Sequence, residues 1–420
     1  MKILLKNAKV FGYDGLCNIS IVDDKIAEIS PLSGSSLFDF DETIEMDGNY
    51  IFPGFVDVHV HMREPGFSYK ETIKTASLAA AHGGYTDVFA MPNLSPVPDS
   101  KENISVELEL LKDSVINAYP YSSITVGQNG EELVDFEEMK NYAAAFSDDG
   151  KGVQSDEIMR EALRKAEKTE KVIAAHCEVN ELLHGGYIHD GIYAEKNGHK
   201  GISSASEYEM IRRDCDLLRE GINAKYHVCH VSTKESIDII RKAKEDGLNI
   251  TAETAPHYLV LCDEDLQEDG RFKMNSTLRG KEDREALINA VIDGTLDMIA
   301  TDHAPHSGEE KSKGLAGSSM GIVGLETAFP VLYTYLVKKG IITLERLIEM
   351  MTTVPAERFG ITSGITVGER ANLCAYDLEK KYTVDPENFL TKGRATPFMG
   401  WEVYGECVLT VCGGKIAYRK

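Results

Sequence analysis

Residues 55–61 read Phe-Val-Asp-Val-His-Val-His, and the reading of this stretch decides the fold. Apolar and polar residues alternate with the period of a strand, and Pro53-Gly54 and Pro65-Gly66 punctuate the run on either side. Residues two apart on a strand face the same side, so His59 and His61 point together. Two imidazoles on one face are a ready pair of ligands for Zn²⁺ or a similar ion. An H-x-H pair also arises by chance, so its weight depends on what lies around it.

Seven more strand-like runs follow: TDVFAMPN, YSSITVG, YAAAFSDD, VIAAHCE, KYHVCHVS, NITAETA and DMIATDH. Charged segments with apolar residues at helical spacing, such as SDEIMREALRKAEK and KESIDIIRKAKEDG, lie between them. Eight β-α units predict a (β/α)8 TIM barrel over residues 52–360, whose working residues sit at the C-terminal ends of the strands. The two chain ends differ from this middle. KILLKNAKVF, NISIVDD and KIAEISP at the start, and ANLCAYD, GECVLTV and KIAYRK at the end, are short alternating runs around Gly and Asp turns. They predict a small β-sandwich domain from residues 1–51 and 361–420.

The strand-end rule gathers further residues around the first pair. Asp149, His176, His230 and Asp302 each fall at the end of a predicted strand. Four histidines and two carboxylates so placed point to a binuclear centre. His59, His61 and Asp302 would take one metal, His176 and His230 the other, and Asp149 would bridge; Asp148 is its rival, because alternation lets only one of the two face inward. Two cations would acidify a shared water to a hydroxide nucleophile, and Asp302 would shuttle its proton to the leaving nitrogen.

Arg63 follows the metal pair, and its guanidinium suits bidentate carboxylate binding, with a surface salt bridge as the alternative. Asn93 can hold the same anion or close an Asx turn. Asn275 is a polar candidate or a cap. The Gly- and Ser-rich stretch 303–321 reads as a mobile lid or a solvated loop, with His306 at its start. His227 shares neither a strand end nor a motif. His82, His184, His189 and His199 read as ordinary helix or loop residues, and His257 has no assigned role.

Acidic residues outnumber basic ones 68 to 45, a formal charge of −23. Such a surface repels phosphate backbones, which argues against nucleic acid, and any anionic substrate needs a local cationic pocket. The N-terminal apolar run, Ile3 to Leu5, is shorter than a signal peptide needs, and no stretch is long enough to cross a bilayer. The scattered cysteines read as reduced thiols in a cytoplasmic enzyme, with no bond expected between Cys407 and Cys412. Strand alternation turns Cys177 and Cys229 away from the metals.

Taken in order, PGFVDVHVHMREPG, MPN, SDDG, AAHCE, CHVST, KMN with LR, ATDHAPH and GIVGLETAFP resemble the amidohydrolase superfamily, and more closely the dihydroorotases. The resemblance covers nearly the whole chain, including the two-ended β-domain. It implies reversible interconversion of N-carbamoyl-L-aspartate and L-dihydroorotate in de novo pyrimidine biosynthesis. By it, His59, His61, Asp149, His176, His230 and Asp302 are ligands of one or two zinc ions, preferably two, and Asp302 is also the acid–base residue. His61, Arg63, Asn93, Asn275 and His306 would contact substrate, with the backbone near Met320 and Gly321. A homodimer is the expected assembly, and association with aspartate carbamoyltransferase is left open.

Two departures stand out. Many superfamily members bridge the metals with a carboxylated lysine, whereas this run ends in Asp148-Asp149, which resembles the bacterial subgroup with an aspartate bridge. The family commonly has two prolines where this chain has Ser276 and Thr277. Dihydropyrimidinases, hydantoinases and allantoinases are the nearest alternatives; they usually use the lysine and lack an arginine at the Arg63 position. A non-catalytic scaffold of the transferase would lack metal ligands, and none is missing here.

Overall fold

A computed structural model describes residues 1–32 and 39–420; residues 33–38, inside the expected N-terminal part of the β-domain, lie outside the described residues. The chain opens with β1 (Lys2–Val10), β2 (Leu16–Val22), β3 (Lys25–Pro31), β4 (Glu42–Glu45) and β5 (Tyr50–Pro53). The barrel strands follow: β6 (Phe55–Val60), β7 (Tyr85–Ala90), β8 (Asn117–Ser122), β9 (Ala145–Phe146) and β10 (Val172–Ala175). A short side pair, β11 (Ile188–His189) and β12 (Gly201–Ile202), interrupts them. The barrel then continues with β13 (Lys225–Val228), β14 (Ile250–Thr254) and β15 (Met298–Ile299). The chain ends with β16 (Leu373–Thr383), β17 (Glu402–Cys412) and β18 (Lys415–Arg419).

Strands β6 to β10 and β13 to β15 form one parallel eight-stranded sheet in sequence order. The sheet closes on itself where the His61 amide donates to the His303 carbonyl at 2.9 Å and Val60 bridges His303 in parallel. This is the (β/α)8 barrel expected from the eight runs. The third run lies later than its strand: pairing covers 117–122, and Ser123 onward turns away because the amides of Ile124 and Thr125 donate to the Asp148 carboxylate.

The intervening helices follow their apolar spacing. Asp156–Thr169 starts at Ser155, whose hydroxyl accepts from the Ile158 amide, and buries Met159, Ala162, Leu163 and Ala166 along one stripe. Lys234–Glu245 does the same behind Thr233, burying Ile237, Ile240 and Ala243. The barrel interior is a separate apolar cluster of Val56, Val58, Phe89, Tyr121, Val172, Ala174 and Met298, floored by Phe359.

Both chain ends build one mixed sheet in the order β18-β17-β16-β5-β1-β2-β3, with β4 also on β1. It covers its own core of Ile3, Leu5, Ile19, Ile21, Ile51, Leu373 and Val411. Only Gly54 separates β5 from β6, so the sheet feeds straight into the barrel. An aromatic cluster of Phe52, Phe55, Phe329 and Tyr376 packs across the junction, with the Phe329 and Tyr376 rings 4.3 Å apart.

Candidate metal centre

The six residues read from the strand ends meet at one place. His59 lies in β6 and His61 just beyond it; Asp149, His176, His230 and Asp302 follow β9, β10, β13 and β15. Asp302 Oδ1 is 3.2 Å from His61 Nε2 and 3.6 Å from His59 Nε2. Asp149 sits in the middle. Its Oδ1 is 3.4 Å from His59 Nε2, 3.4 Å from His176 Nδ1 and 3.6 Å from His230 Nε2, and its Oδ2 is 3.5 Å from His61 Nε2. His176 Nδ1 and His230 Nε2 face each other at 2.9 Å. All six side chains are buried.

Three residues of the site, Arg63, His230 and Asp302, hold positive φ of 64°, 35° and 47°. Non-glycine residues adopt this region at a cost, and such strain gathers at functional sites. It also corrects one expectation. Strand β13 ends at Val228, and the left-handed turn at His230 breaks the alternation, so Cys229 faces the barrel interior together with His230. Ligand-type atoms of His59, Cys229 and Glu253 lie within 4.8 Å of one another. Cys177 does face away, with Sγ 3.4 Å from the Tyr226 hydroxyl. All eight cysteines are free and buried.

The residues fit a metal. His59 Nε2, Asp149 Oδ1 and His176 Nε2 are buried with no hydrogen-bond partner, although buried polar atoms normally have one. Burial favours a neutral His176, yet Asp149 and Glu178 outweigh it and pull the imidazole up to about 10. Burial likewise opposes ionisation of Asp149, but the surrounding histidines hold its carboxyl well below the usual range. The pocket therefore favours positive charge among its carboxylates, which divalent cations supply. Two sets, His59–His61–Asp302 and His59–Asp149–His230, have all their ligand atoms within 4.8 Å. Asp148 turns the other way, onto the Ile124 and Thr125 amides.

A cavity of about 250 Å³ opens over this cluster, and Arg63, Asn93, Asn275, His306, Met320 and Gly321 all line it. Arg63 is buried; its Nε donates to the Pro305 carbonyl at 3.2 Å, and burial lowers its pKa. His306 is a neutral ring: burial, then Arg63 and Lys70, push it down to about 3. Its Nε2 donates to the Met320 carbonyl at 2.7 Å, and Lys70 Nζ lies 3.2 Å from Nδ1. Asn93 donates to the Asp149 carbonyl at 2.7 Å, which leaves its Oδ1 buried without a partner. Asn275 donates to Glu178 at 3.0 Å. Within the stretch 303–321, buried Lys311 donates to the carbonyls of Lys273, Ser319 and Gly321, tying that segment to the cavity wall.

The sequence alone assigned no role to several residues behind the ligands. Ser276, in place of a proline, sets its hydroxyl 3.4 Å from His230 Nδ1 and 3.2 Å from Glu207. Glu253 and His227 lie beneath His59. The available signal was an ionisable Glu253 inside the apolar run NITAETA, since unpaired charges are almost never fully buried. His257 is buried too, and burial lowers it to about 4 against the pull of Asp302.

A closed parallel barrel with a histidine–aspartate cluster at the C-terminal ends of its strands defines the class of metal-dependent barrel hydrolases. Solved structures agree: L-hydantoinase (dihydropyrimidinase) from Arthrobacter aurescens superposes with a TM-score of 0.87 at 26% identity, covering 100% of this chain and 96% of that one. D-hydantoinase from a Thermus species gives 0.83 at 25%, covering 99% and 95%. Residues 48–236 match the family described as dihydro-orotase-like. Dihydroorotases of Bacillus cereus and Bacillus anthracis are 48% identical over 427 residues, covering 100% of this chain and 99% of theirs. The chain belongs to the dihydroorotase family, within the amidohydrolases. Among the described residues no helix is long and apolar enough to cross a membrane.

Proposed function

We propose that the protein is a dihydroorotase, which opens L-dihydroorotate to N-carbamoyl-L-aspartate and closes it in reverse. The observation that carries this reading is Arg63, a buried guanidinium on the wall of the same cavity as the ligand cluster. An arginine so placed selects a cyclic amide that bears a carboxylate, and a bidentate pair fixes its orientation. His59, His61, Asp149, His176, His230 and Asp302 would hold zinc, with Asp149 between two ions. Bound there, zinc would acidify a water and polarise the ring carbonyl. The chain's own groups do the rest. Arg63, with Asn93, Asn275 and neutral His306, binds the substrate and turns its ring carbonyl toward the cluster. Asp302, against His61 and His59, takes a proton from the attacking water on its carboxylate and returns it to the leaving ring nitrogen. The reading carries with it a place in pyrimidine biosynthesis, a cytoplasmic setting and a homodimer.

The test is ring opening of L-dihydroorotate by the purified, zinc-loaded protein beside hydantoin and dihydrouracil. Dihydroorotate is expected to be the strongly preferred substrate. Turnover of hydantoin with none of dihydroorotate sinks the proposal in favour of a hydantoinase, the activity in the names of the structural neighbours.

A further inference from the structure

Glu253 is a carboxylate where none is needed for packing. It lies on β14, 1% exposed, beneath the ligand cluster and outside the cavity. Its Oε1 is 2.7 Å from His59 Nδ1 and accepts the backbone N–H of His230 at 3.1 Å. Its Oε2 is 3.0 Å from His227 Nε2, and His227 Nδ1 is 2.9 Å from the Thr251 hydroxyl. His227 is fully buried and stands edge-on to Phe359 at the barrel floor.

The donor count fixes the protonation pattern. A carboxylate is acceptor-only, so His59 Nδ1, His227 Nε2 and the His230 amide are its three donors. His59 thereby carries a hydrogen on Nδ1, which leaves Nε2, the atom that points at Asp149 and Asp302, as the position for a metal. His227, with its hydrogen on Nε2, sets its other nitrogen, Nδ1, against the Thr251 hydroxyl. The outcome is a buried line, Thr251–His227–Glu253–His59, ending on a candidate ligand of one half of the centre. The same Oε1 also holds the main chain of His230, a candidate ligand of the other half, at its positive φ.

We propose that Glu253, oriented by His227, is a positioning residue of the metal centre: it selects the liganding tautomer of His59 and couples the two halves through His230. This rests on reading the cluster as a metal centre. A carboxylate behind a liganding histidine raises its basicity and fixes its ring, and losing such a partner commonly weakens metal binding by about 10- to 100-fold.

The test is zinc affinity of the metal-stripped protein against a competing chromophoric chelator, with Glu253→Gln and His227→Phe. Glutamine keeps the shape and one acceptor oxygen but not the charge. Phenylalanine keeps the ring against Phe359 and removes one donor. Glu253→Gln is expected to weaken both zinc equivalents by roughly 10- to 100-fold, and His227→Phe to weaken them in the same direction by less. In the cobalt-loaded protein, both variants are expected to alter the visible spectrum of the bound ion. Should Glu253 serve the fold alone, the melting temperature of the metal-free protein falls while zinc affinity and cobalt spectrum stay as in the wild type, and the inference is overturned. Wild-type turnover of L-dihydroorotate is scored separately, so a failed substrate assignment and a failed positioning role give different results.

Discussion

Replacing Arg63 by Ala isolates the substrate side of the site from its metal side. In the free protein the guanidinium spends Nε on the Pro305 carbonyl, and its neighbour His306 already donates its Nε2 hydrogen to the Met320 carbonyl. The remaining N–H groups are therefore available to the cavity. Two charge-assisted hydrogen bonds to a substrate carboxylate contribute about 1.5–3 kcal/mol each, hence about 3–6 kcal/mol together. At about 1.4 kcal/mol per tenfold, kcat/KM for dihydroorotate should fall by roughly 10²- to 10⁴-fold. Arg63→Lys keeps the charge but not the fork, and should recover only part of that loss. Steady-state kinetics are read beside zinc content by atomic absorption, because Arg63 contacts no candidate ligand by hydrogen bond. Zinc falling in step with activity, or a loss of less than about tenfold in kcat/KM, would refute the reasoning.

Asp149→Ala removes the oxygen atoms that four histidine nitrogens approach within 3.6 Å, and should lower zinc content toward one per chain; an unchanged content of two rejects the bridge. Glu107 is buried on the helix Lys101–Leu110, neither carboxyl oxygen has a hydrogen-bond partner, and burial raises its pKa well above the usual carboxylate range. A raised folded-state value means that stability is full below the unfolded value and falls as pH rises toward the folded one. Glu107→Met removes that dependence and the unsatisfied group, and should stabilise the protein by about 1–3 kcal/mol above neutral pH. Melting temperatures at pH 5 and pH 8.5 check this: the gap between variant and wild type should widen with pH, and a constant gap defeats the argument.

The fold was legible because each barrel strand is a short apolar run with its polar residue at one end, and because both termini alternate differently from the middle. The candidate ligands were legible for the same reason. What strand alternation could not supply was side-chain direction past the last paired residue. It let only one of Asp149 and its rival Asp148 face inward, and the amides of Ile124 and Thr125 show that Asp148 is the one engaged elsewhere. It turned Cys229 outward, because a positive φ at His230 is a tertiary outcome with no local signature. His227 was passed over because its partner, Glu253, is 26 residues away on the adjacent strand. Such pairs become visible only once the strands lie side by side.

The closure of the barrel has a consequence for how the molecule is assembled. The seam between β6 and β15 is short: β15 has two residues, and the join is made by the contacts of Val60 and His61 with His303 and by the Asp57 carboxylate, which accepts from the Thr301 amide and hydroxyl. His59 and His61 stand on one side of that seam and Asp302 on the other. An ion held by all three would act as a clasp on that joint. A nascent chain that has emerged as far as Asp149 carries only three of the six donors, and the fastening donor arrives some 150 residues later. On that reading loading would be a late event, and a free divalent ion would stabilise the closed ring over the open one by mass action. Metal-stripped protein should accordingly breathe first along this seam rather than within the long, well-paired strands of the terminal sheet.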